Sequence, residues 1–226
     1  MSEAAIIRKF KVEIFKPEGE ATGITVFLPG TLLKLEEYSS TYDTLVEQNQ
    51  IVIGFKNMNP FPIVGRSHQR MAEDVASVVE EFLALEEYSG LPAKYNVVGH
   101  SLGGKVALMV AAKYDIEKVK NVIALDPVDD KPRELTYPKN KPKTDLSNSL
   151  ADEIHLYQSE KGGEGLFPLC PSDRNATVIQ EIYPKKITSL TIDEGAGHMS
   201  YKDTENDEAS IRTREDVQAK IRAVIQ

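Results

Sequence analysis

Residues 94–112 read KYNVVGHSLGGKVALMVAA. The run opens with a short apolar, β-prone segment, Tyr95 to Val98. It passes through Gly99-His100-Ser101-Leu102-Gly103 into an apolar, alanine-rich stretch with the character of a helix. Strand, tight turn, helix is the context that makes a Gly-x-Ser-x-Gly pattern informative, because the serine then sits on a sharp turn above the strand ends. Gly99 and Gly103 carry no side chains, so strand and helix can close around Ser101. The N-terminus of the following helix favours negative charge, and the Leu102 N–H is placed to face a developing oxyanion. A serine-glycine turn before an ordinary helix is the plainer reading. The flanking strand and helix favour the nucleophile elbow.

Upstream, residues 9–15 (KFKVEIF) alternate polar and apolar, as a half-buried strand does. Residues 24–28 (ITVFL) and 50–55 (QIVIGF) are apolar runs of buried-strand length, and residues 36–48 between them read as a helix. The first run ends in Pro29-Gly30-Thr31-Leu32. In an elbow architecture the loop after this strand supplies the second oxyanion N–H, which makes Thr31 the candidate, with Leu32 next to it. Residues 57–66 (NMNPFPIVGR) either line a pocket mouth or cover the sheet. Residues 67–88 predict a helix, since Met71, Val75, Val78 and Phe82 form one stripe, with Gly90 and Pro92 beyond its end.

Downstream, residues 119–125 (VKNVIAL) read as a buried strand that ends at Asp126-Pro127-Val128. Residues 129–152 are polar, with three prolines, and read as an excursion or flap. Residues 153–158 and 187–192 are further strands, and residues 175–183 a short helix with Asn175 as a possible cap. Residues 214–225 form the closing helix, while residues 203–208 read as a solvated acidic surface. Strands alternating with helices predict an α/β fold, a mostly parallel sheet covered on both faces. No repeat or boundary divides residues 1–226, which read as a single domain.

The 226 residues carry a net charge of −8, which argues against general nucleic-acid binding. Cys170 is the one cysteine, so no intrachain disulfide forms, in keeping with an intracellular, reducing compartment. No apolar run approaches the ~20 residues of a membrane span, and no targeting segment is visible. No His/Cys/Asp spacing suggests a metal, and no phosphate- or dinucleotide-binding loop is framed correctly. The expected partner is therefore a small molecule, with no cofactor and no metal.

A serine hydroxyl is a weak nucleophile at neutral pH and needs a base, with a third group to orient that base. The order in an elbow fold is Ser, then Asp or Glu, then His. Of four histidines, His68 precedes the serine, His155 lies within a strand, and His100 is the serine's neighbour, its ring expected to point away. His198 follows the last strand in Gly195-Ala196-Gly197-His198-Met199 and is the candidate base. For the acid, Asp126 ends a buried strand where a carboxylate is held rigidly. Asp173, Glu160 and Glu164 follow the next strand and stay open as alternatives. Asp193 and Glu194 lie too close to His198 along the chain to reach behind its ring.

Four elements resemble the chlorophyllase branch of the α/β-hydrolases: residues 99–105 (GHSLGGK), Asp126-Pro127-Val128, residues 166–170 (LFPLC) and Gly197-His198-Met199. The resemblance spans residues 24–199, and the Asp-Pro-Val and Leu-Phe-Pro-x-Cys elements are its more specific parts. It implies an α/β-hydrolase fold and a cofactor-free serine esterase that cleaves the phytyl ester of chlorophyll. It implies Asp126 as the acid, and a plastid is the compartment it suggests. Leu102 stands where plant members usually have Arg, and those members are typically longer. An apolar alcohol needs an apolar trough, for which Leu32, Phe61, Ile63, Phe167 and Met199 are the candidates. A small-substrate carboxylesterase, or a non-catalytic binder on the same scaffold, are the alternatives.

Overall fold

The computed structural model describes residues 2–7, 10–56, 67–128, 144–163 and 174–226. Among the described residues, eight strands form one sheet in the order β1-β2-β4-β3-β5-β6-β7-β8. They are β1 (Ser2–Ile7), β2 (Phe10–Phe15), β3 (Gly23–Leu28), β4 (Gln50–Phe55), β5 (Tyr95–His100), β6 (Val119–Leu125), β7 (Glu153–Ser159) and β8 (Ser189–Asp193). β1 and β2 pair antiparallel with each other, and β2 antiparallel with β4. From β4 to β8 every pairing is parallel. The result is an α/β fold with a mostly parallel sheet, as the sequence predicts.

A parallel sheet buries both faces, so its strands read as continuous apolar runs. In β3, Ile24, Val26 and Leu28 join one core layer while Phe27 joins the other. In β6, Val122 and Ala124 face the first layer and Ile123 and Leu125 the second. The first layer is closed by α2 (His68–Leu83), α3 (Leu102–Met109) and α4 (Asn175–Ile182), through residues such as Val75, Phe82, Val106 and Ile179. The second is closed by α1 (Ser39–Glu47) and α5 (Glu208–Val224), through Leu45, Val217 and Ile221.

Several boundaries depart from the sequence expectation. β1 is an additional edge strand that the pattern of residues 2–7 does not announce. The helix predicted over residues 67–88 stops at Leu83; Leu85 is extended (ψ 134°) and Glu86–Tyr88 form a separate 3-10 turn. Arg174, not Asn175, takes the N-cap position of α4. α5 begins at Glu208, before residue 214, because the Asp207 carboxylate accepts from the Ser210 N–H (3.0 Å) and caps it. Asp203, expected as solvated surface, instead accepts from the Ser39 hydroxyl (2.8 Å) and the Ser40 N–H (2.9 Å) at the start of α1. Of the expected excursion, residues 129–143 lie outside the described residues. Of the remainder, Thr144, Leu146 and Ser149 are buried, while Asp145, Ser147, Asn148, Leu150 and Asp152 are exposed. No described helix is long and apolar enough to cross a membrane.

The tightest backbone approach lies where β3, β5 and α3 meet. A Cβ added at Gly103 would lie 2.1 Å from the Leu28 carbonyl oxygen, and one at Gly99 2.4 Å from the Gly103 oxygen. Both neighbours are backbone, which cannot turn aside as a side chain does. A Cβ at Gly90, by contrast, meets nothing within 4 Å. Gly103→Ala is therefore expected to lower stability by roughly 3 kcal/mol or more, or to prevent folding. Gly90→Ala should stay within about 0.5 kcal/mol of the parent. Urea denaturation of both variants checks this, and a well-folded Gly103→Ala of parental stability would contradict it.

Candidate active site

Ser101 links β5 directly to α3, with φ 57° and ψ −120°. A non-glycine residue in that region is strained, and such strain persists only where the surroundings over-determine it. Here the Ser101 N–H donates to the Leu125 carbonyl of β6 (2.9 Å), and its own carbonyl accepts from Lys105 and Val128 (both 3.1 Å). Asp126, the residue after β6, is a second positive-φ position (φ 42°), held by its N–H donating to the Tyr157 carbonyl of β7 (2.9 Å). Two adjacent parallel strands thus each end in a bent, polar residue on the same edge of the sheet.

His198 opens a 3-10 turn (His198–Tyr201) after β8, and its N–H donates to the Gly162 carbonyl (2.7 Å). Its ring closes the arrangement. His198 Nδ1 lies 2.6 Å from Asp126 Oδ2, and Nε2 lies 2.9 Å from Ser101 Oγ. A carboxylate only accepts, so Nδ1 carries the hydrogen and Nε2 is left to accept from the serine hydroxyl. The Asp126 carboxylate is oriented in turn by the Ser159 N–H (3.1 Å) and the Ser159 hydroxyl (2.7 Å) at the end of β7. Ser101, Asp126 and His198 are all buried.

The structure brings together three residues predicted from sequence: Ser101, Asp126 and His198. Among the described rival carboxylates, Glu160 accepts from the Gly195 N–H (2.8 Å) and Asp193 from the Tyr201 hydroxyl (2.6 Å). Asp173 and Glu164 lie outside the described residues. Leu102 is the first residue of α3, so its N–H is one of the helix donors without an intrahelical acceptor. The loop carrying Thr31 crosses the elbow closely, since a Cβ at Gly30 would stand 3.1 Å from Ser101 Cβ. Leu32 follows with φ 62° and a side chain 54% exposed. Met199 lines a cleft of about 520 Å³ beside His198, with Lys161, Gly162, Glu205 and Asp207. Phe61, Ile63 and Phe167 lie outside the described residues. Among the described residues no group of three or more His, Cys, Asp or Glu is placed to hold a metal ion.

Sequence reasoning missed two buried partners of this site. His100, neither of whose ring nitrogens bonds Ser101, is fully buried and hydrogen-bonds Tyr38 Oη (2.7 Å) and the His198 carbonyl (2.8 Å). Tyr201 lies across the His100 ring, with centroids 5.3 Å apart. The only local signal was a histidine inside the elbow motif. His155 is packed as expected, between Ser189 Oγ (2.8 Å) and Glu153 (2.7 Å).

A scan against protein-family models matches residues 61–184 to the family described as alpha/beta hydrolase fold, and the chain belongs to that family. A search of curated proteins finds no match. Among solved structures, DphMB1 is similar over all of this chain and 85% of its own, with TM-score 0.73 and 15% identity. Est1E from Butyrivibrio proteoclasticus covers 99% of this chain and 98% of its own, with TM-score 0.70 and 14% identity. A dienelactone hydrolase from Anabaena variabilis covers 100% and 99%, with TM-score 0.68 and 17% identity.

Behind the site, burial pushes the Asp193 carboxyl up to about 7; Asp216 and Asp126 add to the effect, while the Tyr201 hydroxyl and Arg212 oppose it. A carboxyl raised in the folded state binds its proton more tightly there than in the unfolded chain. Its contribution to stability therefore falls as pH rises from about 4 through about 7. Asp193→Asn keeps an acceptor for Tyr201 and removes the buried charge. Its stability relative to the parent, followed as Tm, is expected to rise between pH 5 and pH 8, by at most about 3 kcal/mol. Equal Tm differences at both pH values would rule this out.

Proposed function

We propose that the protein is a serine-dependent carboxylic-ester hydrolase in which Ser101 is the nucleophile, His198 the general base and later acid, and Asp126 its orienting partner. One observation carries the reading: the continuous contact from Ser101 Oγ through both His198 ring nitrogens to the Asp126 carboxylate. Ser101 attacks the ester carbonyl as its proton passes to His198 Nε2. The negative charge formed on the carbonyl oxygen is met by the Leu102 N–H at the start of α3 and by the Thr31 N–H. The alcohol leaves with the proton from His198. Water, deprotonated by His198, then attacks the acyl-serine and releases the acid.

The substrate we propose is an ester with a large apolar alcohol part, the phytyl ester of a chlorophyll-type pigment. The support is the four-element resemblance to chlorophyllases, together with the exposed apolar side chain of Leu32 beside the elbow and Met199 beside His198. A dienelactone hydrolase and Est1E share the fold at low identity, which leaves short-ester hydrolysis as the contrasting outcome.

A fluorophosphonate probe should label the folded protein at Ser101, and Ser101→Ala should abolish both labelling and hydrolysis, by ~10³-fold or more. Asp126→Asn should lower kcat, since it removes the acceptor that fixes the His198 tautomer. Purified protein offered dispersed chlorophyll and short p-nitrophenyl esters should form chlorophyllide in a Ser101-dependent reaction. Turnover of short esters alone would replace the pigment substrate with a small one. No labelling and no turnover of either class would leave a binder on a hydrolase scaffold.

A further inference from the structure

The hydrogen bonds of His100 have only one self-consistent direction. His100 Nε2 lies 2.8 Å from the His198 carbonyl oxygen. A carbonyl only accepts, so Nε2 carries the hydrogen. Burial holds the His100 ring well below the usual histidine pKa, and any charge on the neighbouring His198 would lower it further, so the ring is neutral. Nδ1 is then an acceptor, and the Tyr38 hydroxyl, 2.7 Å away, must donate to it. That leaves the Tyr38 oxygen free to accept, and the Gly30 N–H faces it at a long 3.4 Å. A directed chain therefore runs from Gly30 N–H to Tyr38, to His100, to the backbone of His198.

The ends of this chain matter. Gly30 precedes Thr31 and lies against Ser101, while His198 holds both Ser101 and Asp126. The path connects residues separated by 62 and 98 positions in sequence. The same two segments are joined again nearer the surface, where the Asp203 N–H donates to the Glu37 carbonyl (2.8 Å) and Lys202 pairs with Glu37 (2.8 Å). Both nitrogens of His100 are thus committed, so the residue does not serve Ser101 as a base. We propose that His100 is a positioning residue, holding the backbone of His198 and, through the Tyr38 hydroxyl, the Gly30 turn in one register around Ser101. This rests on the ester-hydrolase reading.

Without the Nε2–H bond, the His198 carbonyl and its ring gain freedom, and the contact to Asp126 loosens. The step that suffers is proton transfer, not substrate binding, and a small misplacement of reacting groups costs up to about 100-fold. His100→Phe keeps a flat ring, somewhat larger than imidazole, and removes both hydrogen bonds. It is expected to lower kcat for a short p-nitrophenyl ester about 10- to 100-fold, with little change in KM. A His198 less firmly backed by Asp126 also loses its proton at lower pH, so the acidic limb of the kcat/KM profile moves down. His100→Gln, which retains a donor at the end of the side chain, should recover part of kcat. Tyr38→Phe should give a smaller loss of the same kind.

Nitrogen NMR on the unsubstituted protein tests the chain without any variant. His100 should be neutral and in the Nε2–H form between pH 5 and pH 8. An Nδ1–H ring, a charged His100 at pH 7, or a folded His100→Phe with parental kcat and pH profile would each overturn the proposal. Retained hydrolysis in Ser101→Ala would instead overturn the nucleophile assignment, which separates the two failures.

Discussion

The approach of two backbones at the elbow is the constraint on which the site depends. The α3 helix starts so close to β3 and β5 that Gly103 sits against the Leu28 carbonyl and Gly99 against the Gly103 carbonyl. No side chain fits at either point. The turn between them has to be made in a single residue, and that residue, Ser101, is driven to φ 57°. The cost of such a conformation is of order 1–3 kcal/mol. It is offset by a sheet whose hydrogen bonding continues past the nominal strand ends, since Ser101 N–H still bonds the Leu125 carbonyl as if β5 had gone on.

The same device recurs one strand over. Asp126 has φ 42° and donates to the Tyr157 carbonyl as β6 ends. Ser101 and Asp126 therefore project from adjacent strand ends whose spacing is set by the ladder, not by a loop. The serine of β7, Ser159, then fixes the carboxylate with both its N–H and its hydroxyl. Only His198 comes from an irregular segment, and it is held at its N–H, its C=O and both ring nitrogens. Rigid elements carry the other two residues, and hydrogen bonds fix the third where the chain has no strand to hold it.

What could be read from the sequence follows from which signals are local. The buried strands of residues 24–28, 50–55 and 119–125 stand out because a parallel sheet covered on both faces makes continuous apolar runs. The glycines of the elbow are an equally local pattern, whereas Asp126 was singled out among several carboxylates by its strand-end position and by the resemblance, and His198 by its place after the last strand. β1 was not legible, for an antiparallel edge strand needs only a partner in β2 and no apolar run of its own. Asp203 looked like solvated acid because its partners, Ser39 and Ser40, lie more than 160 residues away. The pairing of His100 with Tyr38 was hidden for the same reason, and so was the bond from His100 to the His198 carbonyl. Periodicity reports which face is buried; it does not report which polar groups meet inside.

Two histidines stand with ring centroids 4.8 Å apart at this site, and their surroundings set them opposite tasks. His198 has hydrogen on Nδ1 toward a carboxylate and an open acceptor at Nε2 toward the serine. His100 has hydrogen on Nε2 toward a carbonyl and accepts at Nδ1 from a phenol. A positive charge on His198 is stabilised by Asp126, whereas on His100 it would stand fully buried, bonded to no carboxylate, beside a second histidine and within reach of the Lys202 charge. Burial in a low-dielectric interior penalises the unpaired charge far more than the paired one. In the reaction we propose, a proton taken from Ser101 therefore stays on the ring that faces the leaving alcohol. The neighbouring ring then remains neutral throughout and keeps only the positioning task proposed for it.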